Sequence, residues 1–122
     1  MNKPRANLQL VYVKEIEKSV AFYKQLFAAD PVFETPRYVA FSTGGDGLFA
    51  VWNGGLAPDP AVPRFSEVGI TVPKNEDVQA LFEKWNAEMK LDIVMKPTEE
   101  IFGLTFMIKD PDGHLIRVSP VD

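Results

Sequence analysis

The chain predicts an α+β fold in which two β-α-β-β-β modules form a cupped mixed sheet with helices on the outer face. Three observations predict it. The order strand, helix, strand, strand, strand occurs twice. An amphipathic helix opens at Glu15-Ile16-Glu17-Lys18-Ser19-Val20-Ala21-Phe22-Tyr23 in the first half, and a tight turn, Asp110-Pro111-Asp112-Gly113-His114, opens the last strand of the second. The 122 residues leave each half only about 60, too few to bury a sufficient core alone. One domain spanning 1–122 is therefore expected, with module one at about 7–53, a connector at 54–64 and module two at about 65–120.

Leu8 to Val13 alternates as a strand, with Val11 and Val13 on one face and Leu8, Leu10 and Tyr12 on the other. Both faces are largely apolar, so both are expected to be covered. Val20, Phe22, Tyr23, Leu26 and Phe27 share one side of the first helix, opposite Lys18, Lys24 and Gln25. The helix is expected to end near Ala29, because the residue before Pro31 disfavours helical backbone. Val32 to Thr35, Tyr38 to Ser42 and Leu48 to Trp52 read as strands, and Gly44-Gly45-Asp46-Gly47 turns the last pair.

Asn53 to Pro63 carries two glycines and three prolines without a period and reads as an extended connector. Glu67 to Val72 is then a strand, and Asn75 is suited to cap a helix whose face is Val78, Leu81, Phe82 and Trp85. Asp92 to Met95, Gly103 to Ile108 and His114 to Val118 supply three more strands. In Asp110-Pro111-Asp112-Gly113 the proline sits at the second position of a turn and the glycine accepts positive φ.

Composition narrows the function classes. The hydrophobic fraction of 46% and charged fraction of 25% are ordinary for a soluble globular protein. No apolar run approaches the ~18 residues of a membrane span, and no signal peptide is read at the N-terminus. The absence of cysteine excludes disulfides and thiolate chemistry, so a cytoplasmic location is the default expectation. A net charge of -4 and a pI near 5.0 oppose binding to phosphate backbones, and neither nucleic acid nor membrane is an expected partner.

The helix segment Ser19-Val20-Ala21-Phe22-Tyr23 and the Asp110 turn, taken with the repeated order of elements, resemble the vicinal oxygen chelate superfamily. That superfamily includes glyoxalase I, extradiol dioxygenases and bleomycin-binding proteins. Asn7-Leu8-Gln9-Leu10-Val11-Tyr12-Val13, the stretch from Pro31 to Phe41 and Pro63-Arg64-Phe65-Ser66-Glu67 resemble more closely its members that confer phenazine antibiotic resistance. In metal-dependent members the ligands come from the first and last strands of each half. Mapped through the resemblance, those places fall on Leu8, Phe49, Glu67 and Arg117, which is not a coordination set for Zn²⁺, Fe²⁺ or Mn²⁺. The expectation is a cup without metal or other cofactor, and so without the ion on which isomerase and dioxygenase mechanisms depend.

The remaining candidates are aromatic and suit a flat, partly polar ring system. Trp52 ends the fourth strand beside Asn53-Gly54-Gly55 and matches a tryptophan that the resemblance assigns to stacking; Tyr38, Phe41 and Phe49 lie on neighbouring strands. The plain alternative for each of these aromatics is a place in the core. Trp85 is assigned to the core by its spacing from Leu81 and Phe82. Glu67 and Arg117 admit two readings: Arg117 holds a ligand carboxylate, or the two form an ion pair and touch no ligand. His114 reads as a solvated turn residue, and Asp110 and Asp112 as turn carboxylates bonded to nearby backbone N–H groups. No catalytic residue is assigned, because no serine has an identifiable histidine base and Gly44-Gly45-Asp46-Gly47 opens no helix.

These readings converge on metal-independent binding and sequestration of a planar aromatic antibiotic of the phenazine type. The resemblance implies a homodimer, with exchange of a module between subunits permitted by the connector. Two other classes stay open: an enzyme acting on a small aromatic substrate, and a binding module for an endogenous metabolite.

Overall fold

Period-two alternation and one helix per half decide how each half closes. The computed structural model describes residues 3–121. Among these described residues are eight strands and two helices, and the chain divides between Pro58 and Asp59 into two units. The expected α+β class and both β-α-β-β-β repeats are present. Two four-stranded sheets form, one in each unit. The division falls inside the segment read as a connector, so residues 59–64 belong with the second unit.

In unit one, β1 (Leu8–Tyr12), α1 (Ile16–Phe27), β2 (Phe33–Glu34), β3 (Tyr38–Gly44) and β4 (Gly47–Trp52) give the strand order β1-β4-β3-β2. β1 runs parallel to β4 and the other pairs are antiparallel. The helix ends two residues before the expected Ala29. Ala28 takes φ 51°, and the N–H groups of Ala28 and Ala29 donate to the carbonyls of Gln25 at 3.4 Å and Lys24 at 3.2 Å. That reversal satisfies carbonyls the last turn leaves open, ahead of the proline restriction. Pairing brings Phe41 beside Phe49 and Val39 beside Val51. The Tyr23 ring lies 4.7 Å from that of Phe49, and the Phe27 ring 5.5 Å from those of both Phe41 and Phe49. Tyr23, Phe41 and Phe49 are buried, so this sealed layer is the core of unit one.

Unit two repeats the order with β5 (Glu67–Val72), α2 (Asn75–Glu88), β6 (Asp92–Glu100), β7 (Gly103–Lys109) and β8 (Leu115–Pro120), arranged β5-β8-β7-β6. Val78, Phe82 and Trp85 of α2 are buried, with the Phe82 and Trp85 rings 5.1 and 5.7 Å from that of Phe106. Asn75 is not the cap. Lys74 holds that place, with its N–H donating to the Asp77 carboxylate at 3.0 Å, while the Asn75 side-chain oxygen accepts the Leu104 N–H at 3.0 Å. A carboxylate three residues into the helix reaches back to the cap as in a capping box, which frees Asn75 to hold β7. β6 runs five residues beyond Met95. Its register shifts between Ile93 and Thr98, and it is an edge strand, where Pro97 is tolerated.

The Asp110 turn is a packed knot. One Asp110 carboxylate oxygen accepts the N–H groups of Asp112 at 2.9 Å and His114 at 2.8 Å. Arg64 donates to the carbonyls of Asp59, Val62 and Asp112 and, through Nε, to His114 Nδ1 at 3.4 Å. Asp110 and Asp112 are buried and His114 is half-buried, which corrects the solvated reading of the histidine. The physical reason is that residues 59–64 fold back over the turn. Gly113 has φ 87°, and a Cβ there would come within 3.1 Å of Pro60 Cα. Among the described residues, no helix is long and apolar enough to cross a membrane.

Ala28 occupies left-handed backbone that glycine adopts without steric cost. Ala28→Gly is expected to raise the unfolding free energy by about 0.5–1 kcal/mol, read as a higher urea midpoint at unchanged slope.

Candidate functional site

Which side chains a ligand could touch follows from which face of each sheet the helix leaves uncovered. In unit one, Phe41, Phe49, Val39 and Val51 face α1. By alternation, Leu8, Leu10 and Tyr12 of β1, Leu48, Ala50 and Trp52 of β4, and Tyr38 and Ala40 of β3 point the other way. Phe33 joins them, since it pairs with Ala40. This face is covered in part, not throughout as the apolar β1 suggests: Ala40 and Ala50 are buried. Leu8 is 49%, Tyr12 42% and Phe33 55% exposed.

The register lines up aromatic side chains on this open face. Tyr12 of β1 pairs with Trp52 of β4, and Trp52 pairs with Tyr38 of β3. The Tyr12 and Trp52 rings meet edge-on at 5.4 Å and 83°. Tyr38 in turn meets Phe33 of β2 at 6.0 Å and 66°. The row Tyr12–Trp52–Tyr38–Phe33 thus crosses every strand of the sheet. Trp52 and Tyr38 are half-buried within it. Rings tilted against one another present both faces and edges, the geometry in which aromatic groups attract a further flat ring.

Phe41 and Phe49, read from the sequence as ligand-lining, lie under α1 at 1% and 2% exposure. They support the row from behind the sheet. The position that matches Arg117 is Ala50, not Phe49. Leu8 pairs with Leu48 and Leu10 with Ala50, just as Glu67 pairs with Leu115 and Gly69 with Arg117. A slip of one residue moves a side chain to the opposite face. The corrected positions are Leu8 and Ala50 in unit one and Glu67 and Arg117 in unit two. Two aliphatic groups and a carboxylate already paired with a guanidinium do not fit a divalent cation. Among the described residues, no three His, Cys, Asp or Glu side chains gather as a cation site.

Sequence reasoning missed Tyr12 and Phe33 as members of the open face. The available signal was Tyr12 at the end of β1, on the opposite face from Val11 and Val13. The assumption that both faces were covered hid it. Phe33 carried no such signal, because β2 is two residues long.

In unit two the open face carries charge instead. Arg117 Nε donates to one Glu67 carboxylate oxygen at 2.7 Å and Nη2 to the other at 3.0 Å. The Arg117 guanidinium also lies 5.7 Å from the Phe102 ring centroid. Both partners are about one-third exposed. The hydrogen bond from Arg117 holds the Glu67 carboxyl below its ordinary value of 4.5, against a smaller opposing effect of burial. A carboxyl depressed in the folded state stabilises the fold above its unfolded value and loses that contribution as pH falls through the folded one. Partial exposure limits the contribution to under about 1 kcal/mol. Unfolding midpoints are therefore expected to separate wild type from Glu67→Gln at neutral pH and to converge as pH drops below 4.5, measured by urea titration at several pH values.

Comparison with known proteins agrees with this architecture. The profile of the Glyoxalase/Bleomycin resistance protein/Dioxygenase superfamily matches residues 5–118. The phenazine antibiotic resistance protein EhpR of Enterobacter agglomerans is 52% identical over 118 residues, covering 95% of this chain and 92% of that one. Among solved structures, protein ATC0852 of Agrobacterium tumefaciens superposes with a TM-score of 0.80 at 25% identity, covering 100% of this chain and 99% of its own. A glyoxalase/bleomycin resistance protein/dioxygenase from Nocardioides gives 0.82 at 16% identity, covering 98% of this chain and 85% of its own; this likeness shows the fold. The chain belongs to the glyoxalase/bleomycin resistance protein/dioxygenase superfamily.

Proposed function

We propose that the protein binds a planar aromatic antibiotic of the phenazine type without a metal ion and confers resistance by sequestering it. The observation that carries this reading is the aromatic row Tyr12–Trp52–Tyr38–Phe33 on the helix-free face of the first sheet. The likeness to a phenazine antibiotic resistance protein supports it. A flat tricyclic ring that lies against tryptophan gains buried apolar area at about 25 cal/mol per Å². Each favourable ring pair adds roughly 0.5–1.5 kcal/mol. Resistance then follows from mass action, since protein in excess over drug lowers the free concentration by the ratio that Kd sets. No bond need be broken, and no residue need act as acid, base or nucleophile. Phe41 and Phe49 serve as packing behind the binding face. Glu67 and Arg117 compensate each other's charge, and we assign them no ring contact.

Phenazine-1-carboxylic acid is expected to quench the tryptophan fluorescence of chelator-treated protein saturably at micromolar or lower concentration and to be recovered unchanged. Trp52→Ala is expected to weaken binding more than tenfold and to move thermal unfolding by only a few degrees, since it leaves the α1 core intact. Chemical conversion of the ligand would instead establish the enzyme reading, and binding only after metal is restored would overturn the metal-free part of the proposal.

The proposal includes a homodimer. It rests on the likeness to the superfamily; Leu56, Phe65 and Ile101, at 85%, 98% and 100% exposed, are apolar side chains that a partner could cover. Light scattering is expected to give twice the 13.7 kDa chain mass; a single chain mass at micromolar concentration would overturn this part.

A further inference from the structure

Gly54 and Gly55 flank the Trp52–Tyr12 corner. A Cβ on Gly54 would stand 2.2 Å from Trp52 Nε1, 2.4 Å from Cε2 and 2.6 Å from Cζ2. One on Gly55 would stand 2.8 Å from Tyr12 Cε2 and 3.2 Å from Trp52 Cζ3. Carbon atoms do not approach below 3.0 Å, so the backbone at 54–55 packs against both rings at a separation that only glycine permits. Neither glycine is among those with positive φ. Their contribution is space rather than turn conformation.

We infer that Gly54 and Gly55 are positioning residues for the ligand, holding the Trp52–Tyr12 pair in the orientation that receives a flat ring. This rests on the reading of the aromatic row as the ligand surface. An indole at the end of a strand samples several staggered rotamers when nothing packs against it. A ligand would then bear the entropy of fixing it, which lowers affinity by about two- to tenfold per immobilised side chain. Backbone packed along the indole from Nε1 to Cζ3, and on to the phenol ring, removes that loss in advance.

Phenazine-1-carboxylic acid is the probe, with the protein labelled by 5-fluorotryptophan. Gly54→Ala, where the approach is closest, is expected to weaken binding by about five- to tenfold, and Gly55→Ala by less. Without ligand, Gly54→Ala should displace or broaden the fluorine resonance of Trp52, identified by its loss in Trp52→Phe, and leave that of Trp85 in place. In the Trp52→Phe background, where the smaller ring leaves room for a methyl group, Gly54→Ala should have little further effect on binding. Wild-type affinity in Gly54→Ala with an unmoved Trp52 resonance would overturn the inference, as would an equal loss in the phenylalanine background. Wild-type affinity in Trp52→Ala would overturn the underlying reading of the row instead. Should Gly54→Ala fail to fold, Gly55→Ala carries the same test through the same two readouts.

Discussion

The packing of Tyr23 and Phe27 against Phe41 and Phe49 is the contact on which the candidate site depends. It seals one face of the first sheet, and period-two alternation then leaves no choice about the other. Once Phe49 and Val51 point toward α1, Ala50 and Trp52 must point away, and the strand register carries that choice to Tyr12 and Tyr38. Each core ring buried here is a large fraction of what holds a half-domain of this size together. The layer that stabilises the sheet is therefore also the layer that aims the aromatic row. A substitution that loosened α1 would disturb the row without touching it.

The second unit shows how much the same architecture leaves free. Its helix seals Phe106 beneath Phe82 and Trp85, as α1 seals Phe49. On the opposite face, the pairing that sets Leu10 beside Ala50 in unit one sets Gly69 beside Arg117 in unit two. The repeat thus conserves geometry and exchanges chemistry. One open face is aromatic and uncharged, and the other carries a guanidinium neutralised by Glu67 at 2.7 Å. A fold that specifies direction but not identity at such positions can host unrelated functions, which is why the argument for a ligand rests on these side chains and not on the fold.

Most of the fold was legible in the sequence. Apolar spacing in α1 and α2 and alternation in the long strands specify both repeats, and the glycines of the turn at 44–47 punctuate one of the hairpins. Three features were less legible, each for a stated cause. Helix ends depend on the backbone reversal at Ala28 and on the Asp77 carboxylate that accepts the Lys74 N–H, neither of which apolar periodicity encodes. The place of residues 59–64 depends on Arg64 reaching a turn 48 residues away, while the local run of prolines and glycines reads as a linker. The site was legible in type but not in register. Trp52 and Tyr38 stand on the open face, whereas Phe41 and Phe49 turn to the core, because strand adjacency alone does not tell which residues pair. Pairing is a long-range property, and an error of one residue exchanges core for surface.

That sensitivity to register bears on the chemistry the family can support. A metal site needs several donors, each pointing to one centre within tenths of an ångström, so a single aliphatic residue at such a position removes it. Aromatic recognition tolerates more. Its attraction grows with overlapping area and falls gradually as rings slide or tilt, so Tyr12, Trp52, Tyr38 and Phe33 need only share a face and roughly align. Leu8 and Ala50 lie on that face beside the row. As ligands for an ion they are useless, but the half-exposed Leu8 adds apolar contact area, and the buried Ala50 lets neighbouring side chains close over it. The residues that disqualify a cation centre are those that suit a flat hydrocarbon-rich ring. A sheet face of this kind offers a broad apolar surface, which is what the proposed sequestration draws on.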